Sequence, residues 1–301
     1  MSNTDFTVIG TVGDPVARMN LVLCFFGKTK AEPWCDAGLA ALRAWSAQVP
    51  ELASSWLALG ANASMMTSGG PTAMAKCIKQ LEAGRNRDSR INAALARGPQ
   101  KYGADFAFNW VYLAAAADPD ASESNLLEMH FAHNHLARVG EEQFVQWARQ
   151  VAESVPFDSG YAGLSWSSCK ESTETEAGHS LGAFALHHPG YDVANNGATH
   201  FEIGSRCRGV QWLVFVGKQL MQRTASVAKL RAAVPQGQVC ELRAGAMVQT
   251  SAGPVIGDVN KRQPGPNWAE LAKLLEPSTF FGDYTLDILF NDDEDLRGRC
   301  G

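Results

Sequence analysis

No apolar run in the sequence approaches the roughly 18 consecutive residues that a membrane-spanning helix requires. The most apolar stretch, Phe106 to Ala117, is interrupted by Asn109. No membrane partner is therefore expected. The N-terminal residues Met1 to Val12 carry no basic cluster and lead into no long apolar segment, which leaves a cytoplasmic location as the expectation. Paired cysteines are missing too: Cys24, Cys35, Cys77, Cys169, Cys207, Cys240 and Cys300 are odd in number and widely spaced, with no C-x-x-C, so they read as reduced thiols. Basic charge is in short supply. Against 31 acidic side chains stand 26 basic ones, a net charge of -5, which argues against a general nucleic-acid binder. The deficit is concentrated in residues 101–200, with 4 basic and 13 acidic side chains. Internal repeats and Pro/Ser-rich linkers are absent. What is present is core material: 46% hydrophobic residues, 19% charged and a mean hydropathy of -0.15 exclude a disordered chain.

Periodicity divides the chain into elements. Met19 to Phe26 follows the turn signal Gly13-Asp14-Pro15 and fits a buried strand ended by Gly27. Trp34, Leu42, Trp45 and Val49 recur at helical spacing between Pro33 and Pro50. A second helix is expected from Pro71 to Glu82. Phe106 to Leu113 and Leu126 to Leu136, separated by the loop Asp118-Pro119-Asp120, predict an antiparallel strand pair. Phe144, Trp147, Val151 and Val155 predict a helix from Glu141 to Pro156, with a strand at Tyr161 to Trp166 directly after. Residues 167–180 have almost no apolar content and read as an exposed loop. Val210 to Met221 is apolar at helical spacing and is expected to be a buried helix. Strands at Val239 to Leu242 and Ala246 to Gln249 precede a last helix, Trp268 to Leu275. Consecutive strands among interspersed helices favour an α+β fold, a mainly antiparallel sheet with helices packed on one face, over a doubly wound parallel sheet. Residues 1–301 are expected to form one unit, with a core of about 19–277 and an acidic tail at 282–301.

Candidate chemistry is sparse. His130, His133 and His135 are the densest imidazole cluster, and on a strand His133 and His135 would share a face with His130 opposed. No carboxylate or thiol is placed beside them by spacing, so no metal or other cofactor is assigned, and a metal-assisted hydrolase using His133 and His135 stands as the alternative function. His187-His188 before Pro189 reads as a turn entrance. Gly163-Leu164-Ser165-Trp166-Ser167 begins like a nucleophile elbow but lacks the second glycine. Gly27-Lys28-Thr29 resembles the end of a phosphate-binding loop, but Val22 stands where the first glycine is needed. Thr67-Ser68-Gly69-Gly70 reads as helix capping in preference to an anion site. The eight tryptophans fall mostly on apolar faces and read as core. No catalytic residue is assigned.

Four segments carry a resemblance: Gly160-Tyr161-Ala162-Gly163-Leu164, His188-Pro189-Gly190-Tyr191-Asp192-Val193, Val210-Gln211-Trp212-Leu213-Val214-Phe215-Val216-Gly217 and Pro254-Val255-Ile256-Gly257-Asp258-Val259-Asn260. In that order and spacing they resemble the type VI immunity family, the TsiV-like proteins, over roughly Met19 to Pro277. The resemblance implies a non-enzymatic protein of bacteria with a type VI secretion system, binding a cognate effector toxin delivered between neighbouring cells. Some family members are associated with DNA-cleaving toxins of the VRR-Nuc class. The expected mode of action is to cover the toxin's active site. A chaperone-like part of the secretion apparatus is a third reading. The loop 167–180 and the tail after Pro277 match no family segment, and variable loops are where partner choice lies. On electrostatic grounds the expected toxin contacts are Glu171, Glu174 and Glu176 of the loop and Asp292, Asp293, Glu294 and Asp295 of the tail, suited to a partner with a basic groove.

Overall fold

In a computed structural model, residues 7–9, 15–49, 55–60, 67–98, 105–168, 187–192, 196–263 and 265–280 are described. Chain order runs β1 (Thr7–Ile9), β2 (Pro15–Gly27), α1 (Ala31–Gln48), β3 (Ser55–Gly60), β4 (Thr67–Ser68), α2 (Ala73–Gly84), β5 (Ile91–Arg97), β6 (Phe106–Tyr112) and β7 (Asn125–Ala132). It continues through α3 (His135–Val139), α4 (Glu141–Ser154), β8 (Ser159–Ser168), β9 (Tyr191–Asp192), α5 (Asn196–Thr199), β10 (Leu213–Gly217), α6 (Lys218–Arg223), α7 (Val227–Ala233), β11 (Gln238–Leu242), β12 (Gly245–Gln249) and α8 (Trp268–Leu275). The strands join in one sheet of order β11-β12-β10-β8-β2-β7-β6-β5-β3-β4, with β1 on β2 and β9 on β8. Among the described strand-to-strand pairings only β8 with β9 is parallel, and an isolated bridge, Cys207 with Thr279, is parallel too. The mainly antiparallel α+β architecture is the expected one.

Alternation along the central strands sorts two cores. Leu21, Leu23 and Phe25 of β2 join Phe108 and Trp110 of β6 and Leu127, Met129 and Phe131 of β7 beneath α1, α2 and α4. Helix α1 lies close to the sheet because Gly38 leaves room: a Cβ there would come within 2.6 Å of both Leu81 and Trp110. Two tryptophans lock the contact reciprocally. The Trp34 indole donates to the Val111 carbonyl at 2.9 Å, and the Trp110 indole donates to the Trp34 carbonyl at 3.2 Å. Each such buried aromatic contributes about 1.5–3 kcal/mol of transfer free energy.

Val22, Cys24 and Phe26 point the opposite way, with Leu126, Tyr161 and Ile203. So do Val214 and Val216 of β10, which pack with Leu220, Leu230, Leu271 and Leu275 of α6, α7 and α8. Helices therefore cover both faces, not one. The expected helix at Val210 to Met221 is also corrected: Leu213–Gly217 is a strand between β8 and β12, and only Lys218–Arg223 is helical. A five-residue apolar run has no readable period, and its β-branched content favoured the strand that both neighbours complete. The expected strand to Leu136 stops at Ala132, where a turn leads into α3. Thr67-Ser68 does not cap α2 but pairs with Trp56 and Leu57 of β3.

Candidate functional site

Register assembles a polar row on the face away from α1, α2 and α4. Asn109, Glu128, Cys24 and Tyr161 stand opposite one another across β6, β7, β2 and β8. Two residues along β7 on the same face is His130, whose Nε2 lies 3.2 Å from Glu128 Oε1. Strand β9 runs beside β8, pairing Leu164 with Tyr191 and Ser165 with Asp192, and so lays the Asp192 carboxylate over the row. The Tyr161 hydroxyl donates to Asp192 Oδ2. The Asn196 amide, at the start of α5, donates to Glu128 Oε1 and to the Tyr161 oxygen, each at 2.7 Å. Arg208 closes the cluster, donating to Asp192 Oδ1 at 3.0 Å and to Thr199 Oγ1 at 3.2 Å. Tyr161, Asp192 and Asn196 are all buried.

The electrostatics of this cluster disarm its nucleophiles. Burial pushes the Cys24 thiol well above its ordinary range, and the Glu128 and Asp192 carboxylates add to the rise. Burial and Asp192 do the same to the Tyr161 phenol. At Glu128 burial alone would raise the carboxyl, but the His130 charge and hydrogen bonds from His130, Asn196 and Asn109 hold it below the usual carboxylate range. A protonated thiol and phenol are poor nucleophiles. The acids are engaged as acceptors, Glu128 from Asn196 and Asp192 from Tyr161 and Arg208, and the cluster ties β7, β8 and β9 to α5. Ser165 is buried in mid-strand, paired to Asn20 on one side and Asp192 on the other, with no elbow.

The segments singled out in the sequence converge here. Gly160 lets β8 approach β2, since a Cβ would meet the Cys24 carbonyl at 2.6 Å. Gly190 lets segment 187–192 lie on 255–259, where a Cβ would stand 2.0 Å from the Val255 carbonyl. Backbone bonds Gly190 N–H to Ile256 O at 2.9 Å and Val259 N–H to His187 O at 3.0 Å hold the two together, and His188 Nδ1 lies 2.8 Å from Gly257 O. Gln211 packs its side chain over Gly163. The four motifs are thus one contiguous patch, built around β8.

Of the expected site residues, Glu171, Glu174, Glu176, Asp292, Asp293, Glu294 and Asp295 lie outside the described residues. The histidine cluster is dispersed. His130 is in the polar row, His133 is in the turn after β7, and His135 opens α3 on the other face. The His135 ring stacks on Phe131 with centroids 4.6 Å apart and meets Phe144 edge-on. Its Nδ1 faces the Arg138 guanidinium at 3.0 Å, and burial with that neighbour pushes its pKa down to about 4. His133 and His135 therefore do not share a strand face, which corrects the geometry on which the hydrolase alternative rested. No group of three or more potential metal ligands is brought together among the described residues. The Lys28 backbone N–H donates to Asp158 at 2.6 Å and its ammonium to the Ala121 carbonyl, as a connection between β2 and α1. Sequence reasoning missed Glu128, Asn196 and Arg208. Tyr161 and Asp192 lay inside the quoted motifs, and the Glu128–His130 spacing on a strand was a usable signal.

The matches with known proteins extend over most of the chain. A family model described as type VI immunity for VRR-NUC matches residues 54–297. The structure of a Pseudomonas aeruginosa T6SS protein, PA0821, superposes with a TM-score of 0.76 over 98% of this chain and 90% of that one, at 17% identity. At that identity the likeness is one of fold. No curated protein matches the sequence.

Proposed function

The chain belongs to the TsiV family, type VI immunity for VRR-NUC, and from that premise we propose that it neutralises a cognate effector toxin by binding it and covering its active site, in the cytoplasm and without chemistry of its own. The observation that carries the reading is the family match across 244 of 301 residues, 54 to 297. The structure is consistent with it in two ways. The motif patch is a hydrogen-bonded scaffold whose thiol and phenol are held protonated. Inhibition by occlusion asks for such rigidity and for a contact area of roughly 800 Å² per partner. Among the described residues no helix is long and apolar enough to cross a membrane. Glu171, Glu174 and Glu176, with Asp292, Asp293, Glu294 and Asp295, supply the charge that steers a basic effector groove in this reading.

The test is co-expression in a susceptible cell with the toxin-like product encoded beside this gene, scored for survival and for co-purification. Survival with a stable complex is expected. Death without a complex rejects immunity by direct binding, and a deletion that abolishes secretion, instead of causing self-intoxication with secretion intact, would assign the chain to the secretion apparatus.

A further inference from the structure

One recess is built from polar groups that the immunity reading does not use. It is a cavity of about 310 Å³ where β2, β6 and β7 meet the turn before α3, and Arg18, Asn20, Asp105, His133, His135 and Arg138 are among its lining. Among the described lining residues the charged groups are the guanidiniums of Arg18 and Arg138 and the carboxylate of Asp105. Arg18 Nη1 stands 3.8 Å from Asp105, beyond hydrogen-bond distance, and the Arg18 Nε is buried with no partner among the described residues. On His135 the neighbour of Nδ1 is the Arg138 guanidinium at 3.0 Å. A guanidinium only donates, so Nδ1 accepts and the ring hydrogen sits on Nε2. That Nε2 is likewise buried without a partner among the described residues. Asp105 is the one acidic side chain among the described lining residues, and at 42% exposure it is turned partly to solvent. Two guanidiniums, one of them with its Nε buried and unpartnered, and the His135 Nε2 hydrogen call for an acceptor-rich, negatively charged group.

We propose that this recess is a carboxylate-binding site, and that the carboxylate it takes is an Asp or Glu side chain of the bound effector. The planar guanidinium of Arg18 matches a carboxylate, and the volume lies at the lower end of the range for small-ligand pockets, with Met19, Phe106 and Ala132 mixed among the polar side chains of the lining. A single side chain suits such a recess better than a larger apolar ligand. The source of the carboxylate rests on the immunity reading, while the recess itself does not.

Binding of purified effector is measured for the wild-type chain, Arg18→Gln and Asp105→Asn, with glutarate as the free carboxylate probe and unfolding midpoints as the control for folding. Arg18→Gln is expected to weaken the complex by about tenfold or more. Asp105→Asn, which removes the competing acid, is expected to tighten it by about threefold. A merely structural Arg18–Asp105 pair would not yield opposite signs. Unchanged affinity in both variants overturns the effector contact, even if glutarate binds. A wild-type chain that neither binds nor protects against the effector fails the immunity reading instead. Glutarate then tests the recess alone: shifts in NMR signals around Arg18 that vanish in Arg18→Gln support a carboxylate site, and no shifts overturn it.

Discussion

Under α1, α2 and α4 the sheet is covered by carbon: Trp34, Trp45, Trp110, Phe108 and Phe131 are fully buried and their polar atoms are confined to indole N–H groups bonded to backbone. Across the same strands, one residue out of phase, the sheet carries Glu128, His130, Tyr161, Asp192 and Arg208. The first face is held by area, which is generous and unspecific. The second adds directed bonds to its own apolar clusters, and those bonds specify one placement of segments 187–192 and 196–208 over the strands. The motif segments contribute to both: Leu213 and Phe215 to the first, Tyr161 and Asp192 to the second.

The sharpest break of this comparison is Trp34→Ala on the apolar face. It removes a fully buried indole and its bond to Val111, and is expected to cost about 3–5 kcal/mol in urea unfolding. A loss below about 1 kcal/mol would mean that α1 is not anchored as described. The next effect concerns acid. His135 on the first face and His200, which lies beside the second with Nδ1 3.1 Å from the Ser124 carbonyl, both have pKa values pushed down to about 4, burial being the main cause. The unfolded chain takes up those protons near its ordinary value of about 6.5, ahead of the folded one. Stability is therefore full above that pH and falls between about 6.5 and 4, by up to about 3 kcal/mol for each ring. Urea midpoints measured at pH 7 and pH 5 check it, and equal midpoints would contradict it. His200→Gln should remove the part that belongs to the second face.

Tyr161→Phe separates the faces more finely, because it keeps the ring and deletes only the hydroxyl between Asp192 and Asn196. A loss of about 1–3 kcal/mol is expected, since both partners are left buried with one bond fewer. A neutral outcome would demote the network to ordinary packing. The smallest effect on stability belongs to charge reversal at Glu171, Glu174 and Glu176. Unfolding should shift by no more than about 0.5 kcal/mol, while association with the effector should slow several-fold at low salt and lose salt dependence. Unchanged association kinetics would remove that loop from the interface.

Legibility differed between the two faces for the same reason. Helices α1, α4 and α8 and strands β2, β6 and β8 were visible because one amphipathic or strand-length run encodes each of them. Strands β3 and β5, SWLALG and INAALAR, escaped because alanine carries little strand preference and their pairing with each other supplied the rest. Strand β10 was misread because its period is too short to choose between helix and strand. The polar network was hidden by separation along the chain: Asn196 is 68 residues from Glu128 and 35 from Tyr161, and Tyr161 is 31 from Asp192.

What the sequence by itself determined is what local chemistry can encode: a mainly antiparallel α+β fold, the buried tryptophan helices, and a family resemblance written in short motifs. What only the tertiary structure decided is which face each helix covers, that the motifs form one patch, and that His135 stacks in an aromatic core at the start of a helix instead of sharing a strand face with His133. Those outcomes depend on strand register and on contacts between distant residues, where a displacement of one position along a strand turns a side chain to the other side of the sheet.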